Sequence, residues 1–140
     1  MAVNHILLGQ SGEQVAVDFL KKNGYKILGR HWQAGRFGEI DIISRDYSSA
    51  PKIFGWTCRL LINKNRAPIV FVEVKAKSDY SFGLPEEELT QTKKQKIRRA
   101  VQDWFWQNKL ETANWRIDLV AVDFSANKNQ PEIRHYRGLV

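Results

Sequence analysis

Cysteine is almost absent from this chain. Cys58 stands alone, which excludes an intramolecular disulfide and a cysteine-based zinc site, so the fold must be held by packing. No apolar run approaches the roughly 20 residues that cross a bilayer, and the opening "MAVNHILLGQ" lacks the pattern of a signal peptide. A cytoplasmic protein without membrane association is therefore expected. Internal repeats and low-complexity tracts are missing too. Acids are in deficit, with 15 Asp and Glu against 22 Lys and Arg, a net charge of +7. That imbalance favours a polyanionic partner through counterion release and long-range steering, with nucleic acid as the first candidate. The 140 residues suit a single domain spanning the whole chain, and a domain of that size buries roughly two-thirds of its unfolded surface.

What is present is a run of short elements. In "SGEQVAVDFLKKNG", Ser11 and Gln14 fit a capping box and Asn23-Gly24 a left-handed stop, which predicts a helix of about three turns with Gly12, Ala16, Phe19 and Leu20 at helical spacing. Glu13 lies along the edge of that stripe. "YKILGRHWQ", "AGRFG" and "EIDIISRD" read as strand, turn and strand, a hairpin by local signals. The stretch from Tyr47 to Pro68 mixes turn chemistry with an apolar run ending at Ile62. "IVFVEVKAK" alternates clearly after Pro68 and is a strand, whereas "SDYSFGLPEEEL" is loop-like. From Thr92 to Asn108 an amphipathic helix is expected, with Lys93, Lys94, Lys96, Arg98 and Arg99 in its first half. Trp104 and Trp106 fall on opposite sides of it, the first toward the core and the second toward solvent. "WRIDLVAVDF" suits a central strand covered on both faces, and "EIRHYRGL" an edge strand. A mixed sheet with helices packed on it, an α/β fold, is the simplest architecture for this order.

Two acids interrupt the second strand and an acid with two lysines the third. Alternation puts Glu39 and Asp41 on one face, with Ile40 and Ile42 on the other, and it sets Glu73, Lys75 and Lys77 opposite Val70, Val72 and Val74. If the strands are neighbours, Asp41, Glu73 and Lys75 converge. Clustered carboxylates repel one another unless one is protonated or a cation neutralises them. Magnesium, a hard ion that takes one or two carboxylates and leaves room for phosphate oxygens, answers the problem. A lysine two residues from such a glutamate can orient an attacking water and offset charge on the phosphate. The arrangement suits phosphodiester hydrolysis.

An acid on one strand followed by E-x-K on the next resembles the active-site pattern of the restriction-endonuclease-like superfamily, here Asp41 and then Glu73-Val74-Lys75. More closely, "GEQVAVDFLKKNGYKIL", "GEIDIISRD", "VFVEVKAKS", "TKKQKIRRA" and "WRIDLVAV", in order from about Gly12 to Phe124, resemble the bacterial YraN family of proposed endonucleases, which is similar to archaeal Holliday-junction resolvases. The resemblance implies a restriction-endonuclease-like mixed central sheet flanked by helices, with an insertion at about 47–68, longer than the short turn expected there. It implies a magnesium- or manganese-dependent DNA endonuclease acting on branched or other DNA, and, as resolvases make two cuts, a homodimer. By the same resemblance Asp41 and Glu73 are metal ligands and Lys75 the catalytic lysine. Glu13 completes the metal site, the Val74 carbonyl is a further ligand, and Glu39 supports the site or holds a second ion. Lys93 matches a family lysine that can hold a phosphate. Lys77, Lys94 and Arg98 join it as candidate DNA contacts.

Plainer readings stand beside these. Glu13 can answer the helix dipole in a first turn, Glu39 can be a solvated strand end, and the basic half of the second helix can be a solvated face. Asp41 and Glu73 can pair with Lys75 in a structural salt bridge, although buried ion pairs stabilise poorly compared with apolar packing. Asp118 suits hydrogen bonding to backbone or Arg116 better than catalysis. His5, His31 and His135 show no metal-ligand spacing and receive no role. A non-catalytic nucleic-acid-binding adaptor of recombination or repair proteins is the alternative function.

Overall fold

The segments "IVFVEVKAK" and "WRIDLVAVD", rich in branched apolar residues, pair in parallel near the middle of a five-stranded sheet. The computed structural model describes residues 2–49, 52–53, 56–57, 67–78, 83–84, 87, 89–110, 114–127 and 129–139, with the backbone alone at 2–10, 52–53 and 56–57. In chain order the elements are α1 (Ala2–Lys22), β1 (Tyr25–Gln33), a 3-10 turn (Gly35–Phe37), β2 (Glu39–Asp46), β3 (Lys52–Ile53), β4 (Trp56–Thr57), β5 (Ile69–Lys77), α2 (Gln91–Gln107), β6 (Trp115–Asp123) and β7 (Glu132–Tyr136). The sheet order is β1-β2-β5-β6-β7, antiparallel except between β5 and β6. Parallel neighbours need a crossover, and α2 supplies it.

Each face of the sheet carries one helix. Ala16, Val17 and Leu20 of α1 pack on Ile42, Val70, Val72, Val74, Val120 and Val122. Ile97, Ala100, Val101 and Trp104 of α2 pack on Ile43, Ile69, Phe71 and Ile117. The result is a helix, sheet and helix sandwich, an α/β fold consistent with the restriction-endonuclease-like architecture. Among the described residues no helix is long and apolar enough to cross a membrane.

Two expectations change. The first helix does not begin at Ser11 but runs from Ala2, because nothing in "AVNHILLGQ" breaks it, and Ser11 is an exposed residue within it. Glu13 is therefore some three turns inside the helix, beyond reach of the dipole at its start. The stop is as read, with Gly24 at φ 89°. Second, Ile40 and Ile42 do not share a face: Ile42 joins the α1 side and Ile40 the α2 side. The ladder from β2 to β5 ends at Ile42 and Val72, so β2 is free to turn beyond it. Within the expected insertion, β3 and β4 form a two-stranded ribbon. Cys58 and Ile62 lie outside the described residues.

Where α1 crosses β5 the backbones nearly touch. A Cβ built on Gly12 would stand 2.4 Å from the Ala76 Cβ. Gly12→Ala should therefore lower the unfolding free energy by about 1–3 kcal/mol in urea melts, despite a helix-propensity gain of about 1 kcal/mol. Adding Ala76→Gly should recover part of the loss, and a Gly12→Ala variant as stable as wild type would refute the close approach.

At the far end of the sheet Arg116 joins two carboxylates. Its Nε lies 2.9 Å from Asp118 Oδ1 and its Nη2 2.8 Å from Asp46 Oδ2 and 3.0 Å from the Tyr25 hydroxyl. His135 Nε2 and the Gly138 N–H complete the shell of Asp118, each at 2.9 Å. Burial raises both acids, but for Asp118 the bonds from His135, Arg116 and Gly138, and for Asp46 those from Ser48 and Arg116, outweigh it and hold the carboxyls below the ordinary range. Since both folded values are depressed, their stabilisation is present above the unfolded value near 4 and is lost as pH falls below it. Urea midpoints measured from pH 7 downward should drop through that window. Asp118→Asn should be less stable at neutral pH and lose part of the acid sensitivity.

Candidate functional site

Past the Ile42 and Val72 pair, β2 parts from β5, and a side chain takes over from the ladder: Asp41 Oδ2 accepts the Val74 N–H at 2.7 Å. Glu73, 5% exposed, stands at the parting. On β5 it lies on the same face as Phe71, toward α2. Thr90 caps that helix by accepting the Lys93 N–H, which sets Lys93 in the first turn with its Nζ against Glu73 Oε1. Lys75 Nζ lies 3.3 Å from the same oxygen. From the other side of the sheet, the close approach of Gly12 to Ala76 brings Glu13 of α1 to the gap. Glu13, Glu39, Asp41, Glu73, Lys93 and Lys96 line one cleft of about 560 Å³, with Phe37, Gly38, Thr90, Thr92 and Ile97.

The cleft holds charges that are incompletely matched. Burial, and after it the charge of Glu73, pushes the Asp41 carboxyl up to about 7, against the pull of the Val74 N–H. Burial likewise raises Glu13, which His31 and Arg30 offset in part. For Lys93, burial alone would lower the ammonium, yet Glu73 outweighs it and holds the group above the ordinary lysine range. A cation in the first turn of a helix opposes the dipole. Glu73 explains why Lys93 is tolerated there.

His31, to which spacing in the sequence gives no role, joins the acids. Its Nδ1 is 2.7 Å from Glu39 Oε1 and its Nε2 3.0 Å from Glu13 Oε2. The second approach lacks hydrogen-bond geometry, leaving Glu13 Oε2 buried without a hydrogen-bond partner. His31 holds φ 51° inside β1, a left-handed conformation that His and Asn tolerate better than most residues. Spacing along the sequence cannot reveal this, because the imidazole meets its two acids only once β1 and α1 are packed together. Gln33 Nε2 donates to the other Glu39 oxygen at 2.6 Å.

The remaining candidate DNA contacts divide. Lys93 faces the acid cleft, where Lys96 joins it on the lining, whereas Lys94 and Arg98 line a separate cleft of about 210 Å³ with Gln91, Gln95 and Leu139. Lys77 Nζ donates to the Gly83 carbonyl at 3.0 Å and is not among the residues lining either cleft.

Comparison with known proteins places these residues in a family. The model of the uncharacterised protein family UPF0102 matches residues 12–122. This chain is a member of UPF0102, the YraN family. It is similar to the UPF0102 protein of Caldicellulosiruptor saccharolyticus, 36% identical over 82% of this chain and 80% of that one. It is 31% identical to the UPF0102 protein of Carboxydothermus hydrogenoformans over 99% and 98% of the two chains, and 35% identical to that of Geotalea daltonii over 93% and 86%. The family names carry no activity.

In this UPF0102 member the cleft carries oxygen donors, the ligand type that a hard divalent cation takes. Glu13, Asp41 and Glu73 line one cleft, Glu13 with an orphaned buried oxygen and Asp41 with its proton affinity raised by burial and then by the charge of Glu73. As the side chains stand, no three acid, histidine or cysteine groups among the described residues gather closely enough to hold an ion. The ammonium of Lys93 supplies the positive charge at Glu73 instead.

His31 can be tested apart from any metal. His31→Asn keeps tolerance for the left-handed backbone and one polar group, whereas His31→Ala keeps neither. The alanine variant should lose about 2 kcal/mol in urea unfolding, the sum of a left-handed penalty of about 1 and a hydrogen bond of about 1, and the asparagine variant about half. An asparagine variant as stable as wild type would show that the bridge contributes nothing, and equal losses would show that the left-handed backbone costs nothing.

Proposed function

We propose that this UPF0102 protein is a metal-dependent endonuclease that hydrolyses phosphodiester bonds of DNA. The observation that carries the reading is the meeting of Glu13, Asp41 and Glu73, from a helix and two parting strands, in one cleft with Lys93 at its edge and Lys75 on Glu73. A net charge of +7 supports a polyanionic substrate.

Asp41, Glu73 and Glu13, with the Val74 carbonyl, would hold magnesium or manganese, and Glu39 would support Glu13 through His31. Such an ion supplies Lewis-acid polarisation of a phosphoryl oxygen and a bound water of lowered pKa. The chain's own groups do the rest. Lys75, held beside Glu73, would orient the attacking water and offset charge developing on the phosphate. Lys93 would exchange Glu73 for a phosphate oxygen when the strand enters, and Lys96 would add a second positive group on the same wall. Asp41, tied to the Val74 N–H, would keep its carboxylate in place through the change of partners.

A second reading has its own observation. The Lys93 and Glu73 pair, with no ready three-ligand cluster among the described residues, suits a nucleic-acid-binding adaptor of recombination or repair proteins that does not cut.

Purified protein should cut labelled four-way junction, flap, duplex or single-stranded DNA with magnesium or manganese and not with chelator. Lys75→Ala should reduce the rate at least about 100-fold, as loss of a charge-stabilising group does, with little change in melting temperature. Undiminished cutting by that variant would falsify the assignment. Binding without cutting on every substrate would favour the adaptor.

A further inference from the structure

Trp106 is 80% exposed, nearly twice the exposure of Leu110 at 43% or Leu28 at 41%. A single exposed apolar side chain is ordinary on a protein surface, so the ring matters only for what surrounds it. It stands on the outer row of α2, opposite the buried Ile97, Ala100, Val101 and Trp104. At about 100° per residue, Gln95, Arg99, Gln102 and Trp106 fall within about 60° of one another, with Arg98 beside them. All five are exposed. The row itself carries Arg99 and two amides, flanked by Arg98 on one side and by Asp103, the one acid of α2, on the other. Asp103 Oδ2 is taken by the Gln107 amide at 3.0 Å.

The turn after Trp106 departs from the usual pattern as well. The Lys109 N–H donates to the Trp106 carbonyl at 3.2 Å and the Leu110 N–H to the Phe105 carbonyl at 3.2 Å, the double closure in which glycine is the usual left-handed residue. Here Lys109 takes that place at φ 50°. Its charge suits the C-terminal end of a helix, yet glycine would be less strained. An exposed indole and a cation in a glycine position, one turn apart, are departures from local rules of the kind that gather at functional surfaces.

We infer that the outer face of α2 is a nucleic-acid contact distinct from the acid cleft, where Trp106 stacks on an unpaired base and Arg98, Arg99 and Lys109 hold the adjoining phosphates. The inference rests on the nuclease reading for DNA as the ligand and adds the substrate class: DNA with bases out of the duplex stack, as at a branch or a single-stranded end. Charge favours a polyanion over an apolar protein partner, because the row that carries the ring also carries Arg99, with Lys109 one turn beyond it. The indole face decides against plain duplex, whose bases are already stacked on one another. Lys93 and Lys96 face the acid cleft while Lys94 and Arg98 line the other. One helix thus touches the reacting phosphate and the flanking strand together.

The test uses the full chain in chelator, so that binding is read without cleavage. Wild type and Trp106→Ala are titrated with fluorescein-labelled oligo(dT), a blunt duplex of equal length and a four-way junction, by anisotropy. Trp106→Ala should weaken oligo(dT) binding by about 5- to 100-fold, the range for loss of one stacked base, and leave duplex binding within about twofold. Arg98→Ala with Arg99→Ala should weaken binding and flatten its salt dependence by about 0.7 for each phosphate no longer neutralised. Melting temperatures confirm that each variant folds. Unchanged oligo(dT) affinity in Trp106→Ala, or an equal loss on duplex, overturns the inference. So does a change of oligomeric state in Trp106→Ala with DNA binding intact, which would assign the ring to an interface between copies. Cleavage is scored separately in magnesium. Trp106-dependent binding without cutting upholds this surface and removes the nuclease, whereas cutting with unchanged Trp106→Ala binding does the reverse.

Discussion

The separation of β2 from β5 beyond Ile42 and Val72 is what the rest of the site depends on. A sheet that stayed closed there would bury Asp41 against a neighbouring strand and leave no cleft. The parting strands expose a backbone N–H that must find an acceptor, since an unpaired buried amide is costly. Asp41 meets that need through Val74. The same residue thus satisfies the backbone and joins the acid cluster, and its high proton affinity comes from burial and then from the charge of Glu73, against the pull of that N–H. Function and stability pull on one carboxylate in opposite directions, which is how strained sites commonly arise.

Charge in the cleft is shared among elements distant in sequence. Glu13 comes from α1, Asp41 from β2, Glu73 from β5 and Lys93 from α2. Each helix is anchored on its own face of the sheet by an apolar layer, so the distances between the charged groups are set by packing rather than by mutual attraction. Such an arrangement keeps like charges close at a cost that the core can bear, because apolar burial contributes about 25 cal/mol per Å² whatever the polar groups at its rim are doing.

Much of this is legible in the sequence. The bounds of β1, β2 and β5 follow from alternation and from the turn residues around them, as a period of two reports the pleat directly. The acids and Lys75 are legible for the same reason: charge in an otherwise apolar strand stands out. The start of α1 misleads because Ser11 and Gln14 imitate a cap inside a longer helix. The facing of Ile40 misleads because alternation presumes an unbroken ladder. His31 is invisible, as its importance lies in a left-handed backbone and in two partners from other elements. The helical position of Lys93 follows from the sequence, but its pairing with Glu73 is a tertiary fact that no spacing encodes.

The excursion between β2 and β5 leaves and rejoins the sheet through a closed neck. The Asp46 N–H donates to the Pro68 carbonyl at 3.0 Å, and the Tyr47 N–H to the Gly24 carbonyl at 3.1 Å. With its two ends fastened side by side, the intervening chain can lengthen at only about 0.6 kcal/mol per doubling. The sheet registers that the neck is shut and is indifferent to what hangs from it. The neck at Asp46 and Pro68 therefore works as a socket that can take a longer or shorter chain while the cleft, at the other end of β2, keeps its shape.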